Sequence, residues 1–260
     1  MSLRPVQIAF NAADDVALGA FWAELLGYAS EEEEPGVTCL TPQDADYLAP
    51  GTFGVDVVRT PDPETTRYRV HLDLGAADHT EYSRLIDKAL ALGARRANIG
   101  QGDAPWEVLA DPEGNLFCVL KPTAQAPSIE DVRCPIAQVV IHCADPQRLA
   151  SFWDQALDWV RSDAPWAPAS HDVVRFRSAS GTGPFLTLLR TEEPDALAGR
   201  AHLDLRPYAG GDRADESARL RTMGATDLDL GQGDAPWTVL ADPEGNPFCV
   251  LSPGGHPHAP

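Results

Sequence analysis

An α+β fold is predicted for this chain: two copies of one domain, each holding two strand–helix–three-strand units, four units in all. Two observations carry the prediction. The segment at residues 100–120, GQGDAPWEVLADPEGNLFCVL, returns at residues 231–251, changed only at Glu107/Thr238 and Leu116/Pro247. The same offset carries Phe21-Trp22 onto Phe152-Trp153 and the run HLDL from His71 onto His202. A repeat this long is a duplicated domain and not a solenoid, and 260 residues suit two domains with their own cores. The copies are placed at residues 1–124 and 132–254, joined by a Pro/Ala-rich linker at residues 122–133.

Each copy opens with an apolar run, residues 6–10 and 136–141, read as a buried strand. Asp14 and Asp145 follow as helix N-caps, because a short side-chain oxygen there accepts from the free amides of the first turn. Leu18, Phe21, Trp22, Leu25 and Leu26 recur at helical spacing and stop at Gly27; Leu149, Phe152, Trp153 and Leu157 repeat the pattern. A polar stretch comes next, and its acidic run at residues 31–34 is read as a solvated loop. Strands are expected at residues 54–58 and 185–189. The pattern then restarts with a strand at 68–74, a helix at 80–92 and strand pieces at 97–99, 106–109 and 117–120. The last two flank Asp111-Pro112-Glu113-Gly114-Asn115, with Pro and Gly where a tight turn needs them. The tail at residues 252–260, rich in Pro, Gly and His, is expected to be disordered.

The formal net charge is −19, a surface that repels phosphate backbones and anionic lipid, so no nucleic-acid and no membrane partner is expected. The N-terminal residues lack the apolar region of a signal peptide, and no stretch is long and apolar enough to span a bilayer. Five cysteines without CxxC spacing suggest neither a zinc knuckle nor a thioredoxin-type site and fit a reduced, cytoplasmic protein.

The order FW helix–LG, HLDL–helix–LGA, then W-x-V-L-x-D-P-E-G-N-x-F-C-V-L resembles the vicinal oxygen chelate superfamily of glyoxalases, bleomycin-resistance proteins and extradiol dioxygenases. The likeness is to its glyoxalase-like domains, over residues 4–122 and 134–252. It implies tandem βαβββ units forming two domains whose curled mixed sheets enclose a cleft. It does not imply one reaction, since fold and function separate readily.

Family metal sites use inward-facing residues of the first and last strands of each unit. The resemblance places Asn11, Asp56, His71 and Cys118 there in the first copy, and His142, Thr187, His202 and Cys249 in the second. Where family metal enzymes carry a carboxylate three residues after the turn Asn, this chain has Cys118 and Cys249. A thiolate shifts metal preference towards zinc or copper. His142, His202 and Cys249 are therefore the candidate ligands of a divalent metal (Zn, Fe, Mn or Ni), and Asn11 is a poor ligand where His142 is a good one. The competing reading makes each Cys a small buried hydrophobe.

Candidate ligand-binding residues are His71, His202, Trp106, Trp237, Gln101 and Gln232, the last four from the duplicated loop expected to rim each cleft. Asp73 and Asp204 lie two residues after their histidines and share their face; a salt bridge to Arg is the plainer role for them, orientation of His the alternative. The function expected is binding of an aromatic metabolite or drug in a cleft with a degenerate or absent metal site. The alternative is a metal-dependent lyase/isomerase or extradiol-type dioxygenase acting in the second domain. A monomer of two pseudo-symmetric domains or a homodimer is expected, and the pairing of units within or across the copies is left open.

Overall fold

The structure, a computed structural model, describes residues 3–43, 46, 49, 51–61, 63, 69–122, 135–163, 170–192, 200–229, 233 and 235–253. Four βαβββ units follow one another. The first is β1 (Leu3–Ala12), α1 (Asp15–Leu26), β2 (Tyr28–Glu34), β3 (Val37–Pro42) and β4 (Gly54–Arg59). The second is β5 (Val70–Leu74), α2 (His79–Ala91), β6 (Arg95–Arg96), β7 (Trp106–Ala110) and β8 (Leu116–Leu120). The second copy repeats them as β9 (Ile136–Cys143), α3 (Pro146–Ala156), β10 (Val160–Arg161), β11 (Val173–Arg177) and β12 (Phe185–Arg190), then β13 (Ala201–Pro207), α4 (Arg213–Thr222), β14 (Thr226–Asp227), β15 (Thr238–Ala241) and β16 (Pro247–Val250).

The helix signals act as read. Asp14 accepts from the Ala17 amide, Asp145 from Gln147 and Arg148, and Gly27 closes α1 at φ +71°, in the left-handed region that favours glycine. Two local expectations are corrected. Residues 31–34 belong to edge strand β2, paired with β3, not to a loop; an exposed edge tolerates charge that also discourages sheet-to-sheet association. Residues 97–99 are not a strand; the strand here is the two-residue β6 just before them, whose exposed arginines leave no apolar pattern to read. The linker at 123–133 and the tail from residue 254 lie outside the described residues.

The question of unit pairing has a definite answer. One eight-stranded sheet runs β14-β15-β16-β13-β1-β4-β3-β2, the other β10-β11-β12-β9-β5-β8-β7-β6. The first unit therefore shares a sheet with the fourth through antiparallel β1 and β13, and the second with the third through β5 and β9. Each sheet is mixed, because β4, β8, β12 and β16 run parallel to the opening strands beside them.

Core packing joins what the sheets separate. From α1, Trp22 packs edge-on against Phe117 of β8 at 5.0 Å between ring centroids and stacks on Phe10 at 5.7 Å. In the second copy Trp153 meets Phe248 of β16 at 5.4 Å in the same way. Trp22 and Trp153 are both fully buried, and burying an aromatic of this size contributes about 2–3 kcal/mol. The duplicated turn completes the arrangement. Asp111 accepts from the Glu113 and Asn115 amides and from Trp22 Nε1, while Glu113 accepts from the amides of Ala13 and Asp14 at 2.9 Å each, before α1. Glu244 does the same for Ala144 and Asp145. The identity of the two DPEGN turns follows: this turn is where each copy's second unit grips the helix of its first. No helix among the described residues is long and apolar enough to cross a membrane.

Candidate functional site

Alternation along the central strands puts one polar row across the inner face of each sheet. In the first sheet the row is Cys39, Asp56, Gln7, Asp204 and Cys249, with Cys39 opposite Asp56, Gln7 opposite Asp204 and Asp204 beside Cys249. In the second it is Arg175, Thr187, Gln138, Asp73 and Cys118. Gln7 and Gln138 are buried, and their amides hold the rows together. Gln138 donates to Asp73 Oδ2 at 2.6 Å and accepts from the Thr187 hydroxyl at 2.7 Å. Gln7 turns its amino group to two carboxylates, bonding both Asp56 Oδ2 and Asp204 Oδ2.

Beside each row stands a histidine. His71 Nε2 is 3.2 Å from Asp73 Oδ1, and His202 Nε2 is 3.4 Å from Asp204 Oδ1. The shared face read from the sequence thus brings each Asp to its His, not to an arginine. Burial lifts both carboxyls. At Asp73 the contributions of His71, Gln138 and Cys118 outweigh it and hold the group below the usual carboxylate range. At Asp204 burial wins over the contributions of His202, Gln7 and Cys249, and the group stands above that range. Burial, then the neighbouring Asp, raises the thiols of Cys118 and Cys249.

The trio His142, His202 and Cys249 does not assemble. His142 lies on β9, in the other sheet from His202 and Cys249, with its ring 5.1 Å from that of His71. The reason is the pairing across copies: the partners of β9 come from the first copy, so His142 joins His71, Asp73 and Cys118, while Asn11 joins His202. Burial, then His71, lowers the pKa of His142 to about 4.

His71, Asp73 and Cys118 bring their donor atoms within 4.8 Å of one another, as do His202, Asp204 and Cys249. Oδ1 of each Asp is buried with no aligned hydrogen-bond donor among the described residues, and so is Nδ1 of His142. A tetrahedral zinc site with bonds of about 2.1 Å has donor–donor edges of about 3.4 Å, close to both Nε2–Oδ1 separations. The second sheet, where His142 stands close by, therefore has a donor set that fits a divalent metal of the zinc type.

The first sheet encloses a cavity of about 390 Å³. Gln7, Asp56, His202, Asp204 and Cys249 form its floor, Trp237, Val239, Leu251, Val37 and Val58 give it apolar walls, and Asn11, Glu34, Arg59 and Thr60 add polar groups at its border. Trp237, a ligand-binding candidate from the sequence, lines this cavity. Trp106 is 38 % exposed on β7. Gln101 spends its side chain on its own loop, bonding the Ile99 amide at 2.8 Å and the Ala97 carbonyl at 3.1 Å. Gln232 lies outside the described residues. Gln7 was missed altogether; its signal was one polar side chain inside the apolar run at residues 6–10.

Four βαβββ units, paired into two open sheets with polar inner rows, define a protein class that sequence comparison also recovers. A family model described as "Glyoxalase-like domain" matches residues 7–120 and 138–251. The chain belongs to that family, within the vicinal oxygen chelate superfamily. Among solved structures it is similar to glyoxalase I from Zea mays (TM-score 0.62, 13 % identity, 96 % of this chain and 92 % of that one). It is also similar to a putative dioxygenase from Bacillus subtilis subsp. subtilis str. 168 (TM-score 0.61, 13 % identity, 95 % and 84 %). At such identity the likeness concerns the fold. Comparison with curated proteins gives no match.

Proposed function

We propose that this protein binds an aromatic small molecule in the cleft of the first sheet. The observation that carries the reading is the cavity of about 390 Å³, apolar over most of its lining, with a polar row on its floor and further polar groups at its border. Binding sites for small organic molecules have this composition, with few polar groups fixing orientation inside a mostly apolar concavity. Trp237 supplies a stacking wall, and His202 and Gln7 offer the orienting groups. Each sheet draws its strands from this chain alone, so a monomer suffices, and the four cysteines among the described residues, free and buried, accord with a cytoplasmic location. The test is a thermal-stability screen against planar aromatic compounds, with Trp fluorescence as a second readout. A ligand at a hundred times its Kd adds about 2.7 kcal/mol; a screen in which no aromatic compound raises Tm ends the proposal.

A second reading rests on the donor set of the second sheet, where His71, Asp73, Cys118 and His142 lie together. It is a metal-dependent lyase/isomerase or extradiol-type dioxygenase. A divalent ion bound there would supply Lewis acidity towards a carbonyl or enediolate oxygen. Asp73 would orient His71, and Gln138 would fix Asp73. The test is elemental analysis of protein lacking the His-containing tail. Near-stoichiometric metal lost on Cys118→Ala supports this reading, and no uptake on reconstitution removes it.

A further inference from the structure

The polar rows come from duplicated sequence, yet their charges differ. Opposite the conserved geometry of Gln and Asp, the first row has Asp56 and Cys39 where the second has Thr187 and Arg175. At these two positions the first row thus has a carboxylate in place of a hydroxyl and lacks the guanidinium that the second row carries. Asp56 and Asp204 are each about 4 % exposed and line the cavity, held side by side by one Gln7 amino group. Asp204 Oδ1 has no aligned donor among the described residues.

Little in the walls offsets this negative charge. Arg59 borders the cavity, but its guanidinium bonds Asp15 through Nε at 2.7 Å and Nη2 at 2.5 Å. Glu34 adds a further carboxylate at the border. His202 is the remaining basic group of the lining and faces Asp204, while buried Arg206, two residues further along β13, also acts on Asp204 from outside the lining. Above the floor stands the Trp237 indole, whose π-face attracts cations. An acidic floor under an aromatic wall complements a ligand with a positive charge on an apolar body.

We propose that the first cleft selects an arylalkyl ammonium ligand over neutral and anionic compounds of the same shape, and that Asp56 sets this selectivity. The proposal rests on the reading of this cleft as an aromatic binding site and adds the charge of its ligand. A protonated amine donates to the buried carboxylate oxygens, while a carboxylate in its place meets two like charges.

The experiment is calorimetric titration of the full chain with phenethylamine, phenethyl alcohol and hydrocinnamate, in EDTA so that divalent ions do not compete for the carboxylates. The amine is expected to bind about tenfold more tightly than the alcohol, the ratio that one charged hydrogen bond supplies, and hydrocinnamate not to bind. Asp56→Thr installs the residue that Thr187 provides in the second sheet, whose hydroxyl bonds Gln138, so the fold has a precedent for it. It should abolish the amine's advantage over the alcohol; Asp204→Asn should act in the same direction. Equal binding of amine and alcohol by the natural chain overturns charge selection while leaving the aromatic cleft standing. Failure of all three compounds also overturns the proposal, and the aromatic screen then decides separately whether the cleft binds anything.

Discussion

Gln7 donates from Nε2 to Asp204 Oδ2 at 2.9 Å although 197 residues separate the two in sequence. The bond crosses from the first copy to the second at the centre of the first sheet, and the same amino group bonds Asp56. Replacing Gln7 with Leu leaves two buried carboxylates without their common donor. Gln7→Leu should destabilise the protein by about 3 kcal/mol, read as a lower urea midpoint at constant slope. A change below about 0.5 kcal/mol, the range of ordinary surface substitutions, would show that the clamp contributes no stability.

Glu113 ties three parts of the chain together. It accepts from two amides ahead of α1 and forms an ion pair with Arg200, whose side chain is 1 % exposed. Glu113→Ala removes the cap and the counter-charge of a buried guanidinium, which keeps its bonds to the Asn11 and Glu113 carbonyls, and should cost about 3 kcal/mol. Glu113→Gln keeps acceptor capacity but not charge and should cost less. Chemical denaturation of the two variants checks the order.

The His142 imidazole gives a pH dependence of known sign. Its folded pKa, about 4, lies below the ordinary 6.5, with burial the larger cause and His71 the next. Between these values the unfolded chain binds more protons at this site, so its contribution lowers stability as pH falls from about 6.5 to about 4. His142→Asn, which copies Asn11, should flatten that part of the curve. The quantity to measure is the difference between natural and variant stability at pH 7 and pH 4.5; a difference that does not change with pH defeats the prediction.

Trp237 and Trp106 occupy matching sequence positions, but only Trp237 is a wall of the cavity described above. Trp237→Ala should weaken aromatic ligands by about tenfold or more, given about 1–3 kcal/mol for a lost aromatic stack, while Trp106→Ala leaves affinity intact. Likewise His202→Ala should impair binding more than His71→Ala. Titration of the four variants with one ligand from the screen settles both comparisons.

What the sequence disclosed and what it hid divide along a physical line. Asp14, Gly27 and the DPEGN turn act within a few residues, so caps, helices and the four-unit pattern were legible. Cys118 and Cys249 were placed on closing strands correctly, because apolar alternation marks those strands. The trio built on His142 failed because nothing local tells a strand which copy supplies its neighbour. Gln7 was overlooked for the same reason: inside an apolar strand it looks like an anomaly until Asp56 and Asp204 stand beside it. Strand β2 was hidden because an edge needs no apolar face, and four glutamates resemble a loop.

The sheets that cross between copies bear on how this chain could diversify. A single copy of such a domain can build these sheets only by associating with its twin, and every substitution then appears in both sites at once. Covalent fusion ends that constraint. Asp56 can then stand without its counterpart at position 187, and Arg175 without one at position 39, so two sites built from one repeat differ inside one polypeptide.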